Sequence, residues 1–176
     1  DPERTGRIAQ TWSSTWNGAP KRGHTDHIIL SFPRGVDTER AEAVARDWGQ
    51  AVFGSGEFGD VWRYVAALHK DTDHLHAHFV VDKHGIEQGR FMSICRHAAL
   101  SFDVMRELHA EISQEHGLNF VRVLITRYEN MDGPQVQISS LLRTVLGDAV
   151  LPAGECVAAG EILGGVGVSP ADPDDD

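Results

Sequence analysis

Between residues 69 and 78 the chain reads His69-Lys70-Asp71-Thr72-Asp73-His74-Leu75-His76-Ala77-His78, four histidines and two aspartates in ten residues. Three neutral imidazoles that converge hold a divalent cation and leave its other positions open, as in a catalytic rather than a closed structural site. The spacing supplies the convergence. Alternate residues of a strand share a face, so His76 and His78 point one way while Ala77, Phe79 and Val81 point the other. With a hairpin loop over 70–75, His69 lies across from His76, their Cβ atoms about 5 Å apart. The same register puts Ala67 opposite His78, a small side chain that leaves room for an ion and a phosphate. Asp71, Asp73 and Asp82 are near enough in sequence to accept from imidazole N–H groups and fix the tautomer that binds metal, Asp71 being the first choice. His74 is open between a ligand and a loop residue, and His27 opens a strand and could face either way. His24, His84, His97, His109 and His116 are expected at solvent or at helix ends.

Elements to carry this segment are legible around it. Ile8, Trp12 and Trp16 recur at helical spacing, predicting a helix over 3–16 that stops at Asn17-Gly18. Residues 26–32 form an apolar run closed by Pro33, as an interior strand would. Asp37 can cap a helix from Thr38 to about Phe53, with Ala41, Val44, Ala45, Trp48 and Val52 on one stripe. Strands are predicted at 61–69 and 76–82, a further extended segment around 90–95, and a helix from about Ala99 to His116-Gly117 carrying Val104, Met105, Leu108 and Ile112 inward. This order implies an α+β fold: an antiparallel central sheet with helices packed mainly on one face. The expected division is a metal-binding domain over 1–120 and an acidic, Gly/Ala-rich extension over 121–176, partly disordered, with one possible helix over 137–146.

Composition narrows the class. With 176 residues and 41% apolar content the chain can bury a core, and no apolar run approaches the length of a membrane span. No secretory leader is visible, so a cytoplasmic protein without membrane insertion is expected. Cys95 and Cys156 are too few and too far apart for a disulfide framework or a cysteine zinc site, and both read as buried thiols. The formal net charge of −10 runs against a nucleic-acid binder. Its distribution softens this: residues 1–120 hold 13 Lys+Arg against 17 Asp+Glu, and 121–176 hold 3 against 9, whereas all ten histidines lie between His24 and His116.

The histidine segment resembles the third motif of the mobilisation relaxases of the histidine–hydrophobe–histidine endonuclease superfamily, the MobA/VirD type that includes T-DNA border endonucleases. Thr25 to Pro33 resembles that family's strand ending in Ser-Phe-Pro, and Phe53-Gly54-Ser55-Gly56 its turn after the first central helix. Arg96-His97 and the helix ending at His116-Gly117 follow the same pattern, so the resemblance covers about residues 5–120. It implies His69, His76 and His78 as metal ligands, with manganese or magnesium as the ion and zinc or nickel as substitutes. It also implies a single-stranded DNA partner at an origin of transfer or border sequence, accessory mobilisation proteins, and a type IV secretion coupling protein. The family's tyrosine attacks a phosphodiester and stays joined to the 5′ end, from a helix upstream of everything seen here. Asp1 in place of Met reads as the inside of a longer protein, and only Tyr64 and Tyr128 are present, so these residues are expected to bind without cutting. Parity puts Tyr64 on the face opposite His69. Leu75 stands where the family has proline, and Asp82 where it has asparagine, adding negative charge to the metal face. Lys83, Arg90 and Arg96, with Arg34 and Arg63, are candidate phosphate contacts, and Trp62 and Phe91 candidate base platforms.

Two other readings stay open. His74-Leu75-His76-Ala77-His78-Phe79-Val80 also fits the alternating signature of histidine-triad nucleotide hydrolases, in which a histidine attacks the α-phosphate without metal. A degenerate relaxase that binds DNA and has no enzymatic role is the other.

Overall fold

The computed structural model describes residues 2–70, 74–119, 124–128 and 161–163. In chain order the elements are α1 (Pro2–Ser13), β1 (Thr25–Ser31), α2 (Thr38–Gly49) extended by a π-helical turn (Gln50–Gly54), β2 (Trp62–His69), β3 (His76–Gly85), α3 (Phe102–Glu115), β4 (Leu124–Tyr128) and β5 (Glu161–Leu163). The strands form one sheet in the order β4-β1-β3-β2-β5, antiparallel throughout except for β5, which runs parallel to β2 at the edge. An α+β fold with an antiparallel central sheet is therefore observed.

The larger core lies on the sheet face formed by Ile28 and Leu30 of β1, Tyr64, Ala66 and Leu68 of β2, and Ala77, Phe79 and Val81 of β3. Both longer central helices cover it. The Asp37 carboxylate accepts from the Arg40 amide at 2.9 Å, capping α2, whose expected stripe of Ala41, Val44, Ala45, Trp48 and Val52 is buried. Burying a large apolar side chain such as Trp48 or Phe79 stabilises by roughly 1.5–3 kcal/mol. Trp48 also satisfies its indole N–H on the Met105 carbonyl of α3 at 3.0 Å, so the two helices are pinned to each other as well as to the sheet. Gly49 allows that close approach: a Cβ there would come within 2.8 Å of the Phe79 ring. The third helix begins at Phe102, not Ala99, because Ser101 supplies the cap, its hydroxyl accepting from Val104 N at 3.2 Å.

The opposite face is covered in its middle by α1. Ile8, Ala9 and Trp12 pack on Val65, Ala67 and Val80. This helix ends at Ser13, and Trp16 lies in the turn beyond it.

Several details differ from the sequence reading. The stretch 90–95 makes only an isolated bridge, Phe91 to His84, flanked by the bonds Met92 N to Lys83 O and Gly85 N to Arg90 O, and the loop before it is folded around a buried carboxylate. Asp60 accepts from the amides of Val61, Glu87, Gln88 and Arg90 at 2.8–3.2 Å. Burial opposes its charge, but these four donors hold the carboxyl below its usual value. A Cβ on Gly85 would overlap that carboxylate, so the loop closes tightly over it. Strand β3 runs on to Gly85, and β4 and β5 come from residues where no strand is legible. Cys95 is exposed on a turn, not buried. The possible helix over 137–146, Asp71, Asp73 and Cys156 lie outside the described residues.

Candidate metal centre

Strand pairing brings the three expected histidines together. In the β2–β3 register His69 pairs with His76 and Ala67 with His78, as the hairpin reading requires. Ring centroids are 5.4 Å apart for His69–His76, 4.9 Å for His76–His78 and 4.3 Å for the stacked His69–His78 pair. One ring nitrogen from each lies within 4.8 Å of the other two. An ion about 2.1 Å from each nitrogen would draw the three rings closer together than this.

The hydrogen bond of His76 fixes which of its nitrogens can face an ion. Nδ1–H of His76 donates to the His74 carbonyl at 3.0 Å, which leaves Nε2 as the free donor to a metal. His78 Nδ1 lies 2.8 Å from His27 Nε2. A ligand held as His76 is, with its proton on the nitrogen away from the ion, fits a divalent cation. A backbone carbonyl serves His76 and an imidazole stands beside His78, while Asp71 and Asp73, expected in that role, lie outside the described residues.

His27 is the site residue that sequence reasoning left unassigned. Its place in β1 puts it on the same sheet face: Ile29 pairs with His78, and His27 with Val80 one step along. It is 6% exposed, and burial, together with the neighbouring His69, lowers its pKa to about 4. His27 therefore stays neutral at ordinary pH. Period-2 alternation would have placed it on one face or the other, but the pairing of β1 with β3 spans 51 residues and is invisible locally.

The remaining candidates scatter. His74 is exposed and stands outside the cluster, accepting at Nε2 from Arg34 Nε at 3.0 Å. Asp82 lies on the metal face but toward its far end, fully buried, its carboxylate held by Arg63 at 2.6 Å, Trp16 at 3.0 Å and the His84 amide at 3.1 Å. Burial pushes its carboxyl up, and those three donors oppose the shift. Its charge is thus spent on Arg63 and is not presented to an ion at the trio, as the sequence had suggested. Lys83, expected at the DNA surface, lies in the interior at 2% exposure, where its ammonium donates to the Arg22 carbonyl at 2.9 Å beside Asp26 at 3.9 Å. Trp62 is buried too, so it offers no platform, whereas Phe91 is 44% exposed. Arg34, Arg90 and Arg96 are on the surface.

His24 and His109 are interior rather than solvent histidines. His116 ends α3 as expected, paired with Asp47 at 2.7 Å. Tyr64 packs among Phe53 and Phe79 on the opposite face, and burial raises its phenol pKa. It has no path to the trio. Tyr128 occupies β4, in register with His27.

Comparison with known proteins identifies the family. The profile of the relaxase family described as MobA/VirD2-like, nuclease domain, matches residues 3–118. The T-DNA border endonuclease VirD2 of Rhizobium radiobacter is 35% identical over 126 residues, 66% of this chain and 30% of that protein. Its counterparts in Rhizobium rhizogenes and Agrobacterium fabrum are each 41% identical over 95 residues, 53% of this chain and 22% and 21% of theirs. The chain spans less than a third of the length of these relatives. No solved structure matches it. The histidine-triad hydrolase reading finds no support, since the trio is completed by His69 of β2 and His74 stands apart.

Proposed function

The chain belongs to the MobA/VirD2-like relaxase family, and from that premise we propose that it is the metal-binding face of a DNA strand transferase that grips single-stranded DNA at an origin of transfer or border sequence. The observation that carries this reading is the convergence of His69, His76 and His78 from two strands, with the outward nitrogens of His76 and His78 each engaged. A divalent ion held there, manganese or magnesium in the cell and zinc or nickel as substitutes, supplies Lewis acidity toward a phosphodiester.

The chain's own residues do the rest. His69, His76 and His78 fix where the scissile phosphate sits; Ala67 beside His78, expected to leave room there, is instead buried under α1, which bounds the site on that side. Arg34, tied to His74 at the rim, and the exposed Arg90 and Arg96 provide cationic contacts for flanking phosphates. In the full protein a tyrosine hydroxyl attacks phosphorus, the P–O3′ bond breaks, and the 3′ oxygen leaves while the 5′ phosphate stays on the tyrosine. Tyr64, buried on the wrong face, is not that nucleophile. The 176 residues alone bind metal and DNA without cutting. By the same resemblance, the whole protein acts in the cytoplasm with accessory mobilisation proteins and a type IV secretion coupling protein. Among the described residues no helix is long and apolar enough to cross a membrane.

The test is a calorimetric titration with Mn²⁺ and Zn²⁺, paired with anisotropy of a labelled border oligonucleotide. The chain should bind metal, and metal should tighten DNA binding. A His76→Ala/His78→Ala double variant that keeps wild-type metal affinity would defeat the proposal.

A further inference from the structure

We infer that His27 is a positioning residue for the metal centre: its Nε2 accepts a hydrogen bond from Nδ1–H of His78 and thereby fixes the His78 tautomer whose Nε2 is available to the ion. The inference rests on the metal reading above and adds to it a residue that is no ligand. Three observations converge. The two nitrogens are 2.8 Å apart, hydrogen-bond distance, and the rings are tilted by 32° with centroids 5.0 Å apart, so the contact runs nitrogen to nitrogen and not face to face. His27 is buried and held on β1, whose pairing with β3 sets the reach between the two rings. Finally, the donor atoms that cluster within 4.8 Å come from His69, His76 and His78 and do not include His27, which places it behind the site and not in it.

The chemistry explains the choice of residue. A ligating imidazole binds through one nitrogen and must carry its proton on the other, so the group facing that other nitrogen must accept. His76 uses the His74 carbonyl for this. His78 points its Nδ1 at the buried position of His27, where a carboxylate would add a buried negative charge. An imidazole in its Nδ1–H form accepts at Nε2 without one. A neighbour that accepts also aims the ring, since the hydrogen bond removes rotation of His78 about its side-chain torsions.

Two variants and two readouts test this. In His27→Gln the side-chain amide oxygen can stand near the position of Nε2 and accept, whereas His27→Leu fills the space without accepting. Long-range ¹H–¹⁵N spectra of the metal-free chain should show His78 as the Nδ1–H tautomer in wild type and in His27→Gln, and shifted toward Nε2–H in His27→Leu. Calorimetry with Mn²⁺ and Zn²⁺ should show binding weakened about 10–100-fold in His27→Leu and largely restored in His27→Gln. An Nε2–H tautomer at His78 in the wild-type chain overturns the inference outright, even if His27→Leu does not fold. So does wild-type affinity in His27→Leu, or an affinity in His27→Gln as low as in His27→Leu. If the wild-type chain binds no metal, the metal reading falls, while the tautomer spectra still report on the His27–His78 bond.

Discussion

One face of the sheet carries two histidine pairs built alike and used differently. His27–His78 and His24–His84 each bring an Nδ1 and an Nε2 within 2.8 Å, and each joins β1 or the residue before it to β3. Between them lies the apolar patch under α1. What separates them is the residue that β2 delivers to each end. At one end it is His69, and with His76 it completes a three-nitrogen site. At the other it is Arg63, whose guanidinium binds Asp82 at 2.6 Å and the Thr15 hydroxyl of the segment after α1 at 2.8 Å. The far pair is then closed by rings: Trp16 stacks on His24 at 4.6 Å and Phe91 meets His84 edge-on at 5.1 Å. A histidine pair is thus no site by itself. Two more imidazoles beside His78, those of His69 and His76, make a candidate metal grip of one end, and a neutralised carboxylate with stacked rings makes a structural clasp of the other.

The sharpest way to break that contrast is to remove its cation. Arg63→Leu leaves the Asp82 carboxylate fully buried with its ion-pair partner gone, and should cost about 3 kcal/mol in urea unfolding, the lower end expected for halving a buried pair because Arg63 keeps some exposure. Metal affinity should not change. A parallel collapse of metal binding would mean that the two ends are one unit. Next in size is the ion itself. At about 100 times its dissociation constant, Mn²⁺ should stabilise the wild-type chain by about 2.7 kcal/mol. His69→Ala should abolish that gain and His84→Ala should preserve it, read as shifts in thermal midpoint with and without metal.

The two ends also differ in how far the sequence revealed them. The trio was legible because its rules are local: alternation along β3 and one hairpin register fix His69, His76 and His78 within ten residues. The helix stripe of α2 and its Asp37 cap were legible for the same reason. His27, Asp82 and Lys83 were not, since their roles depend on partners 51, 19 and 61 residues away that only the assembled sheet brings near. A lysine reads as a surface cation until its carbonyl partner is known. Asp60 passed unremarked, although it organises the whole 85–90 loop, because a lone aspartate carries no pattern. The edge strands β4 and β5 are short, and three to five residues hold too little alternation to stand out.

Phe91 allows the clasp end to be tested for a role in DNA binding. It is an exposed ring with Lys83 5.1 Å from its centroid, at the outer end of the stacked series. If a base stacks there, Phe91→Ala should weaken binding of a single-stranded oligonucleotide by about 1–3 kcal/mol while leaving metal affinity intact. Equal DNA affinity in the variant would confine that end to a structural role.

The smallest expected effect is a pH dependence that separates the clasp from the deeper histidines. Burial lowers the pKa of His24, and the adjacent His84 lowers it further; burial likewise lowers that of His84. A histidine whose folded pKa lies below 6.5 binds fewer protons folded than unfolded as the solution turns acid. Its contribution to stability is therefore whole above pH 6.5 and is lost as pH falls through the folded value. His27 and His109, both lowered to about 4, should extend that loss over the interval from 6.5 down to 4. Substituting His24→Asn and His84→Gln should flatten the upper part of the acid limb, seen as a shallower slope of urea midpoint against pH just below 6.5, and leave the lower part. An unchanged slope would mean that the clasp histidines take up protons folded as readily as unfolded, and that Asp82, not burial, governs their charge.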